Sequence, residues 1–478
     1  MGKGPPRLDK YRRLIARFYE ALILLSIVQK VQGPHIIASH YDATLTASRR
    51  RFIKNLAFIC DSDKGGEQTS SIAIQECENC FRFWLASNGQ GNHKAAQSSP
   101  EKADFLKAIL RRLQSAPTLS ESQRKNEEGL ISKDCAIFAR RRLKKESRIL
   151  ANTVEKYLDQ CGNVSLGHEG HEDLTRVEIE GLKSWLQQFG SNAPDNGYQT
   201  CLVAYNARND PQMQTLRKLS HEMIDSIPPP SVIVACRTIR HFVGRLADHI
   251  RVPKQLVEDA MRMGHILDVH EVTAVEQPIC ETAPGIDSHT TLDGLLTRMF
   301  KDGDKNLPDT QLCISRLNQQ VGLEARIKEQ YSKLTDKPPL VHSEVQMLEH
   351  FHRNKLVYAE NDRFVGTSKL SCFCCRLYFR HHPSRPVEPD SHEEVYLSWG
   401  PIKLPRGSND LGFIEQRDIL NLVIHDVRKP TLQSLRNTVS PQFHHPNSIT
   451  GLSQSQNNVP LNTADGENVR THETQRSC

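Results

Sequence analysis

The alternation of helical and strand patterns after Pro338 and Pro339 constrains the fold of this chain more than any other feature. Some of these segments carry apolar residues at helical spacing, and others are short runs rich in β-branched and aromatic residues. Such alternation is typical of an α/β domain in which helices cover a sheet. The predicted helices are "LVHSEVQMLEHF", "CFCCRLYFRHH" and "FIEQRDILNLVIHDV", and the predicted strands are "RFVGTS" and "EEVYLSW".

Two more strands are predicted much earlier in the chain, "SSIAIQE" and "FRFWLASNG". In the second, Phe81, Phe83 and Leu85 alternate with residues of the opposite face, which is the period of a half-buried strand. "CENC", from Cys77 to Cys80, occupies the turn between the two strands. The sequence therefore predicts an early hairpin that is separated from the later α/β segments by a long stretch of chain.

That intervening stretch is predicted to be helical, with a division at the three prolines of residues 228–230. Its helical segments are "FLKAILRRLQ", "ILANTVEKYLDQ", "LKSWLQQF", "IRHFVGRLADHI" and "LEARIKEQYSKL". The last part of the chain is rich in Ser, Asn, Gln and Thr with almost no aromatic residues, a composition that predicts disorder. The predicted organisation is an N-terminal helical segment (1–55), a segment with the first two strands (56–95), a helical region (96–335), an α/β core (336–430) and a disordered tail (431–478).

Composition and charge narrow the class of protein. The formal net charge of +6 permits a polyanionic partner without indicating a nucleic-acid packaging protein. Thirteen cysteines without disulfide-framework spacing indicate a reducing compartment, so we expect an intracellular protein of the cytoplasm or nucleus. The apolar run from Ala21 to Val28 is too short to span a bilayer, and Glu20 with its helical spacing favours a packed amphipathic helix over a signal peptide. No membrane partner is expected.

The order of two short motifs carries most of the functional information. The chain contains two His-x-Glu triplets and two Cys-x-x-Cys pairs, so each motif alone is weak. Only His342-x-Glu344 is followed by such a pair, Cys372 and Cys375, at a separation of one helix and one strand. His392 begins the second triplet, and no Cys-x-x-Cys pair follows it.

This order fits a catalytic zinc, which takes three protein ligands and keeps a fourth position for water. Cys372 and Cys375 lie three residues apart at the start of a helix, where both sulfurs can reach one metal and the helix N-terminus favours thiolates. His342, just before a regular helix, can reach the same metal from the neighbouring helix end. Residues two apart in a helix do not share a face, so Glu344 is predicted to handle the proton of the zinc-bound water instead of binding zinc.

"VHSEVQMLEHFHRNK", "RFVGTSKLSCFCCRLYFRHHP" and "SHEEVYLSWGP" together resemble the OTT-type (fungal) nucleic-acid or nucleotide deaminases, a branch of the cytidine-deaminase-like superfamily. The resemblance covers about residues 340–401. It implies a three-layer α/β/α fold that begins with the early hairpin and contains the helical region as an insertion. It also implies Zn²⁺ held by His342, Cys372 and Cys375, with Glu344 as the proton shuttle.

The activity implied by the resemblance is hydrolytic deamination of a cytosine- or adenine-type base. The implied partner is a nucleobase-containing small molecule or a single-stranded nucleic acid, and the helical region is a candidate protein-binding surface. The alternative function is a catalytically inactive, zinc-stabilised interaction module. One departure bears on this choice, because the family places Pro immediately before the first Cys or one place earlier, and here those positions are Ser371 and Leu370. Ser371 is expected to cap the helix in place of that Pro.

Several other features have ordinary structural interpretations. Cys77 and Cys80 are interpreted as two thiols at a turn, with a closed four-cysteine site shared with Cys372 and Cys375 as the alternative. The basic run at residues 140–148 is interpreted as a solvated helix face in preference to a phosphate-binding or nuclear-import segment. The remaining predictions are core positions for Cys374 and Trp399, a surface loop for "HEGHE" (168–172), and a helix C-terminus for His381 and His382.

Overall fold

The structure is a computed structural model, and it describes residues 8–28, 35–37, 44–88, 99–162, 176–190, 196–220, 230–286, 290–300, 303, 305–336 and 338–436. Within these ranges the chain is mostly helical and forms a small mixed sheet of four strands. None of the described helices is both long enough and apolar enough to cross a membrane.

The sheet joins the early hairpin to two distant parts of the chain. Its strands are β1 (Ser70–Glu76), β2 (Phe81–Ser87), β3 (His270–Ala274) and β4 (Gly366–Thr367), in the order β3-β2-β1-β4. β1 and β2 form the predicted antiparallel hairpin, with Ile72 opposite Leu85, and the Cys77 amide donates to the Cys80 carbonyl across the turn at 3.0 Å. β4 pairs antiparallel with β1, and β3 pairs parallel with β2.

The predicted helical segments are confirmed, although "LKSWLQQF" finishes in a 3₁₀ turn at Gln187–Phe189. The described helices are α1 (Lys10–Val28), α2 (Leu45–Ile59), α3 (Ser99–Ser115), α4 (Glu121–Phe138), α5 (Arg140–Gly162), α6 (Arg176–Leu186), α7 (Gly197–Ala207), α8 (Pro211–Ser220), α9 (Pro230–Ala260), α10 (Gly264–Leu267), α11 (Leu292–Met299), α12 (Leu307–Val321), α13 (Leu323–Asp336), α14 (Ser343–Arg353), α15 (Phe373–His381) and α16 (Phe413–Arg436).

Helices cover both faces of the sheet. Successive side chains of a strand point to opposite faces, so alternate strand residues pack into two different apolar cores. Ala73 and Ala86 face a core that includes residues of α1, α14, α15 and α16. Ile72, Ile74 and Phe83 face the opposite core, formed with α2, α3 and α9. A third apolar cluster joins α4 to α9 and includes no residue of the sheet. The helical region therefore has apolar packing of its own.

Two strand predictions need correction. Residues 393–399, predicted as a strand, form none, since the Phe373 amide donates to the Glu394 carbonyl at 3.1 Å and Arg376 pairs with both oxygens of Glu393 at 2.5 and 2.6 Å. These contacts hold the segment against α15, and Glu393 has a φ of 58°, which a strand does not accommodate. The "RFVGTS" strand is reduced to the two residues of β4.

β3 is a strand inside the region predicted to be helical. Its five residues, "HEVTA", pair with β2 along their whole length. So short a segment has little periodicity of its own, and its conformation is decided by the sheet edge that it joins.

The two ends of the described chain are helical. The N-terminal segment is the packed amphipathic helix that was predicted, because Phe18, Leu22 and Leu25 of α1 are fully buried. α16 continues to Arg436, six residues into the segment assigned to the tail. Residues 437–478 and the "HEGHE" segment lie outside the described residues.

Candidate metal centre

His342 occupies the N-cap position of α14 but does not cap the helix with its side chain. Its backbone is extended, with φ −69° and ψ 148°, and the imidazole turns toward α15. His342 Nδ1 lies 3.6 Å from Cys372 Sγ and 3.4 Å from Cys375 Sγ. The position just before the helix therefore brings the ring to the two sulfurs, as the sequence predicts.

Cys372 is the N-cap of α15, and its sulfur accepts a hydrogen bond from the Cys375 amide at 3.5 Å. The prediction that Ser371 caps this helix is wrong. The Ser371 hydroxyl is buried and makes no hydrogen bond to the described residues. The Ser371 backbone is used instead, because its amide donates to the Asp390 carbonyl at 2.8 Å and its carbonyl accepts from the His392 amide at 3.1 Å.

Together, His342, Cys372 and Cys375 form a buried cluster whose candidate ligand atoms lie within 4.8 Å of one another. One imidazole nitrogen and two sulfurs form a donor set that suits Zn²⁺ with one coordination position left open. Cys374, between the two cysteines, is fully buried in the apolar core, as predicted. These three side chains could therefore hold a zinc ion, and their donor chemistry fits that metal.

The four-cysteine alternative is wrong. Cys77 and Cys80 lie partly exposed on the hairpin turn as free thiols. Among the described residues, neither belongs to a group of potential ligand atoms within 4.8 Å of one another. The third partner of Cys372 and Cys375 is the imidazole of His342.

Trp399 contributes a contact that the sequence does not predict. It is fully buried in the core, as expected, where its ring lies 5.3 Å from the ring of Phe18 between centroids. Its indole N–H also donates to Cys375 Sγ at 3.1 Å. A hydrogen bond from an outer residue fixes the orientation of a metal ligand and stabilises its charge. An aromatic residue with a donor at the end of an apolar run is the only signal that the sequence carries for this role.

The two thiols differ in acidity. Burial opposes ionisation of Cys372, but the hydrogen bond from Cys375 and the charge of His342 outweigh it and lower the pKa of this thiol to about 6. Burial raises the pKa of the Cys375 thiol well above its ordinary value, and the adjacent Cys372 adds to that shift. Burial also opposes a charged His342, yet the nearby Cys372 raises the pKa of the imidazole above its usual value. Cys372 and His342 therefore each favour the charged form of the other.

Glu344 is buried beside this cluster with 3% of its surface exposed. Its charge and hydrogen bonding are among the causes that raise the pKa of the Cys375 thiol, which places the carboxyl group next to that sulfur. The Ser343 hydroxyl donates to Glu344 Oε2 at 3.4 Å. Ser343 is in turn fixed to the sheet, because its amide donates to Asn88 Oδ1 at 2.5 Å and its hydroxyl lies 2.7 Å from the Ser71 hydroxyl. The hairpin thus positions the start of α14.

Tyr396 lies near the His342 ring, and His392 lies near Tyr396. The Tyr396 ring is 6.2 Å from the His342 ring and 5.5 Å from the His392 ring between centroids. Burial lowers the pKa of His392 to about 4, with the charges of His35 and His342 adding to the shift. Among the described residues, His392 does not belong to a group of potential metal ligands, whereas His342 does.

The basic run on α5 is not a uniformly solvated face. Arg140, Arg141, Lys144 and Lys145 are exposed, as predicted, but Arg142 is fully buried. Its guanidinium lies 3.1 Å from Glu146 Oε1 and 3.4 Å from Asp61 Oδ2. Helical spacing turns one residue of the run inward, and charge counting along the sequence does not reveal this.

Comparison with known families identifies the stretch that contains this cluster. Residues 341–403 match the family model described as OTT_1508_deam-like deaminase. Neither the curated proteins nor the solved structures provide a match to the chain. The matched residues include His342, Glu344, Cys372, Cys375 and Trp399. The predicted resemblance is confirmed: residues 341–403 are similar to the OTT-type deaminases.

Proposed function

We propose that this chain is a zinc-dependent hydrolytic deaminase that removes the amino group of a cytosine- or adenine-type base in a nucleotide or a single-stranded nucleic acid. The observation that carries the proposal is the meeting of His342, Cys372 and Cys375 at two neighbouring helix starts, with Glu344 buried beside them. The family match over residues 341–403 supports the reaction class.

In this proposal His342, Cys372 and Cys375 hold the metal, and Glu344 moves protons. A bound zinc supplies Lewis acidity and lowers the pKa of water to near neutrality. Glu344 accepts a proton from the water that adds to the ring carbon and returns it to the amino nitrogen, so that the C–N bond breaks and ammonia leaves. Trp399 keeps the Cys375 sulfur in place through the indole hydrogen bond.

The architecture supports the same proposal. We interpret the sheet and its two helical layers as the three-layer α/β/α core implied by the family, with α3 to α13 as the insertion between β2 and α14. The Ser343 contacts with Ser71 and Asn88 couple the hairpin to the site despite that insertion. Half-buried Tyr396, beside His342, is our candidate for stacking on the base.

The competing proposal is a zinc-stabilised interaction module without turnover, and the absence of Pro at positions 370 and 371 favours it. A screen for ammonia release by the zinc-loaded chain distinguishes the two. Its substrates should be nucleosides, nucleotides, single-stranded RNA and single-stranded DNA that contain cytosine or adenine. Ammonia release that requires Glu344 supports the deaminase. Zinc-replete protein that releases no ammonia from any of these substrates supports the interaction module.

A further inference from the structure

A second cluster of potential metal ligands lies at the opposite ends of the same two helices. It consists of His352 in the last turn of α14, His382 at the C-cap of α15 and Glu415 in the first turn of α16. Each offers one ligand atom, and these atoms lie within 4.8 Å of one another. Three separate helices thus converge on one point.

The contacts within the cluster are close and directed inward. His352 Nε2 lies 2.9 Å and 3.0 Å from the two carboxylate oxygens of Glu415. The rings of His352 and His382 are 4.7 Å apart between centroids and nearly perpendicular, at 83°. The first contact is the His352–Glu415 ion pair, and the second brings the His382 ring beside that pair.

His382 supplies the independent observation. It is 2% exposed, and its Nε2 makes no hydrogen bond to the described residues. This nitrogen forms an ion pair with Glu349 Oε1 at 3.4 Å, without hydrogen-bonding geometry. The other ring nitrogen, Nδ1, is 2.7 Å from the Ser384 hydroxyl. One ring nitrogen of His382 is thus held by a hydroxyl group, while the other faces a carboxylate without accepting or donating a hydrogen bond within the described part of the chain. A histidine metal ligand is commonly oriented in this way, through the ring nitrogen that does not bind the metal.

We propose that His352, His382 and Glu415 form a second binding site for a divalent transition-metal ion such as Zn²⁺. Two imidazoles and a carboxylate suit such ions. The first site has two sulfur ligands and prefers soft metals, and the second site, which has no sulfur, does not share that preference. Glu415 is exposed and His382 is buried, so an ion enters from solvent and is held at the inner end. This site is independent of the proposed deaminase activity.

The two metal sites would hold both ends of one helix pair. His352 is the tenth residue after His342 along α14, and His382 is the tenth residue after Cys372 along α15. At a rise of 1.5 Å per residue, the centres lie about 15 Å apart along the helices. The second ion would fix the α14 and α15 ends to α16 and therefore make the geometry of the first site more rigid.

Metal content of the full-length chain after equilibration with Zn²⁺ and removal of free metal tests the proposal. We expect about two zinc ions per chain in the wild type and about one in His352→Gln or Glu415→Gln. His425→Gln on α16 is the matched control, because this exposed histidine is outside the cluster, and it should keep both ions. A wild-type chain that holds a single zinc ion, together with an equal zinc content in His352→Gln, would overturn the proposal of a second site.

Cobalt substitution separates this proposal from the first site. In Cys375→Ser, the strong sulfur-to-cobalt absorption of the first site should weaken, while Co²⁺ bound without sulfur ligands should remain. Loss of that remaining Co²⁺ in the Cys375→Ser/Glu415→Gln double variant supports the second site. Its retention in the double variant contradicts the second site, whatever the result for ammonia release.

Discussion

The indole N–H of Trp399 donates a hydrogen bond to the sulfur of Cys375 at 3.1 Å. This bond links the apolar core to a candidate metal ligand from 24 residues further along the chain. It stabilises negative charge on a sulfur whose pKa burial otherwise raises. The contact makes Trp399 a candidate positioning residue for the proposed metal centre as well as a core residue.

Trp399→Phe should keep most of the core packing and remove the hydrogen-bond donor. We expect zinc affinity to fall by about 10- to 100-fold, the usual effect of losing an outer-shell partner of a metal ligand. Competition with a chelator measures the change. Trp84→Phe is the control, because Trp84 also loses an indole hydrogen bond, to Gln75, but lies outside the metal cluster. Equal zinc affinities for Trp399→Phe and wild type would mean that the contact has no role in metal binding.

Glu344→Gln and Cys375→Ser should separate metal binding from proton transfer. The glutamine keeps the size of the side chain but cannot shuttle a proton, so we expect zinc content to persist and ammonia release to fall by about 10²- to 10⁴-fold. The serine removes one ligand, so both zinc and ammonia release should be lost. Zinc analysis and an ammonia assay on the same preparations measure both effects. Full ammonia release by Glu344→Gln would exclude the assigned role of the carboxylate.

Restoring the family proline with Ser371→Pro should destabilise this chain. Proline would remove the amide that donates to the Asp390 carbonyl at 2.8 Å, and the loss of this buried hydrogen bond costs about 0.5–1.5 kcal/mol. The matched variant Ser371→Ala removes a buried hydroxyl without a hydrogen bond among the described residues, so its stability should equal or exceed that of wild type. Urea unfolding of both variants measures the free energies. A stabilised Ser371→Pro protein would contradict this account.

Arg142→Met should be strongly destabilising although Arg142 lies in a basic run. The substitution removes a guanidinium that pairs with buried Asp61 and Glu146. These carboxylates keep Lys369 and Arg245 as partners, so we expect a cost of about 1.5–3 kcal/mol, as for the loss of a charged hydrogen bond. Arg141→Met, one residue away on the exposed side, should change the free energy of unfolding by less than about 0.5 kcal/mol. Equal melting temperatures for the two variants would show that the buried pairs contribute little.

Lys102 should make stability increase with pH in the alkaline range. Burial lowers the pKa of this fully buried amine to about 8, whereas the same amine in the unfolded chain has its ordinary pKa of 10.5. Between these two pH values the unfolded chain therefore binds more protons than the folded chain. The contribution of Lys102 to the free energy of unfolding is therefore lowest below about pH 8. It rises by up to about 3 kcal/mol as the pH approaches 10.5.

The difference in unfolding free energy between wild type and Lys102→Met isolates this contribution from other titrating groups. Wild type should gain stability relative to Lys102→Met as pH rises from 8 to 10. Lys107 is exposed on the same helix, so the unfolding free energy of Lys107→Met should depend on pH in the same way as that of wild type. A difference between wild type and Lys102→Met that does not change with pH would contradict the lowered pKa.

Local pattern explains the parts of the fold and site that the sequence predicted well. Helical periodicity identified the long helices, and period-two alternation identified the β1–β2 hairpin. The strand predicted for "EEVYLSW" does not form because the backbone of this segment hydrogen-bonds to the start of α15. The strand β3 was not predicted because its partner strand β2 lies far away in the sequence.

The sequence by itself determined the candidate ligand set of His342, Cys372 and Cys375, because motif order and helix-end spacing already place these atoms near one another. Only the tertiary structure decided the roles of Trp399, Ser371 and Arg142, and only it brought His352, His382 and Glu415 together. The physical reason is that hydrogen bonding, burial and ion pairing depend on distances between elements, and spacing within one element does not encode them.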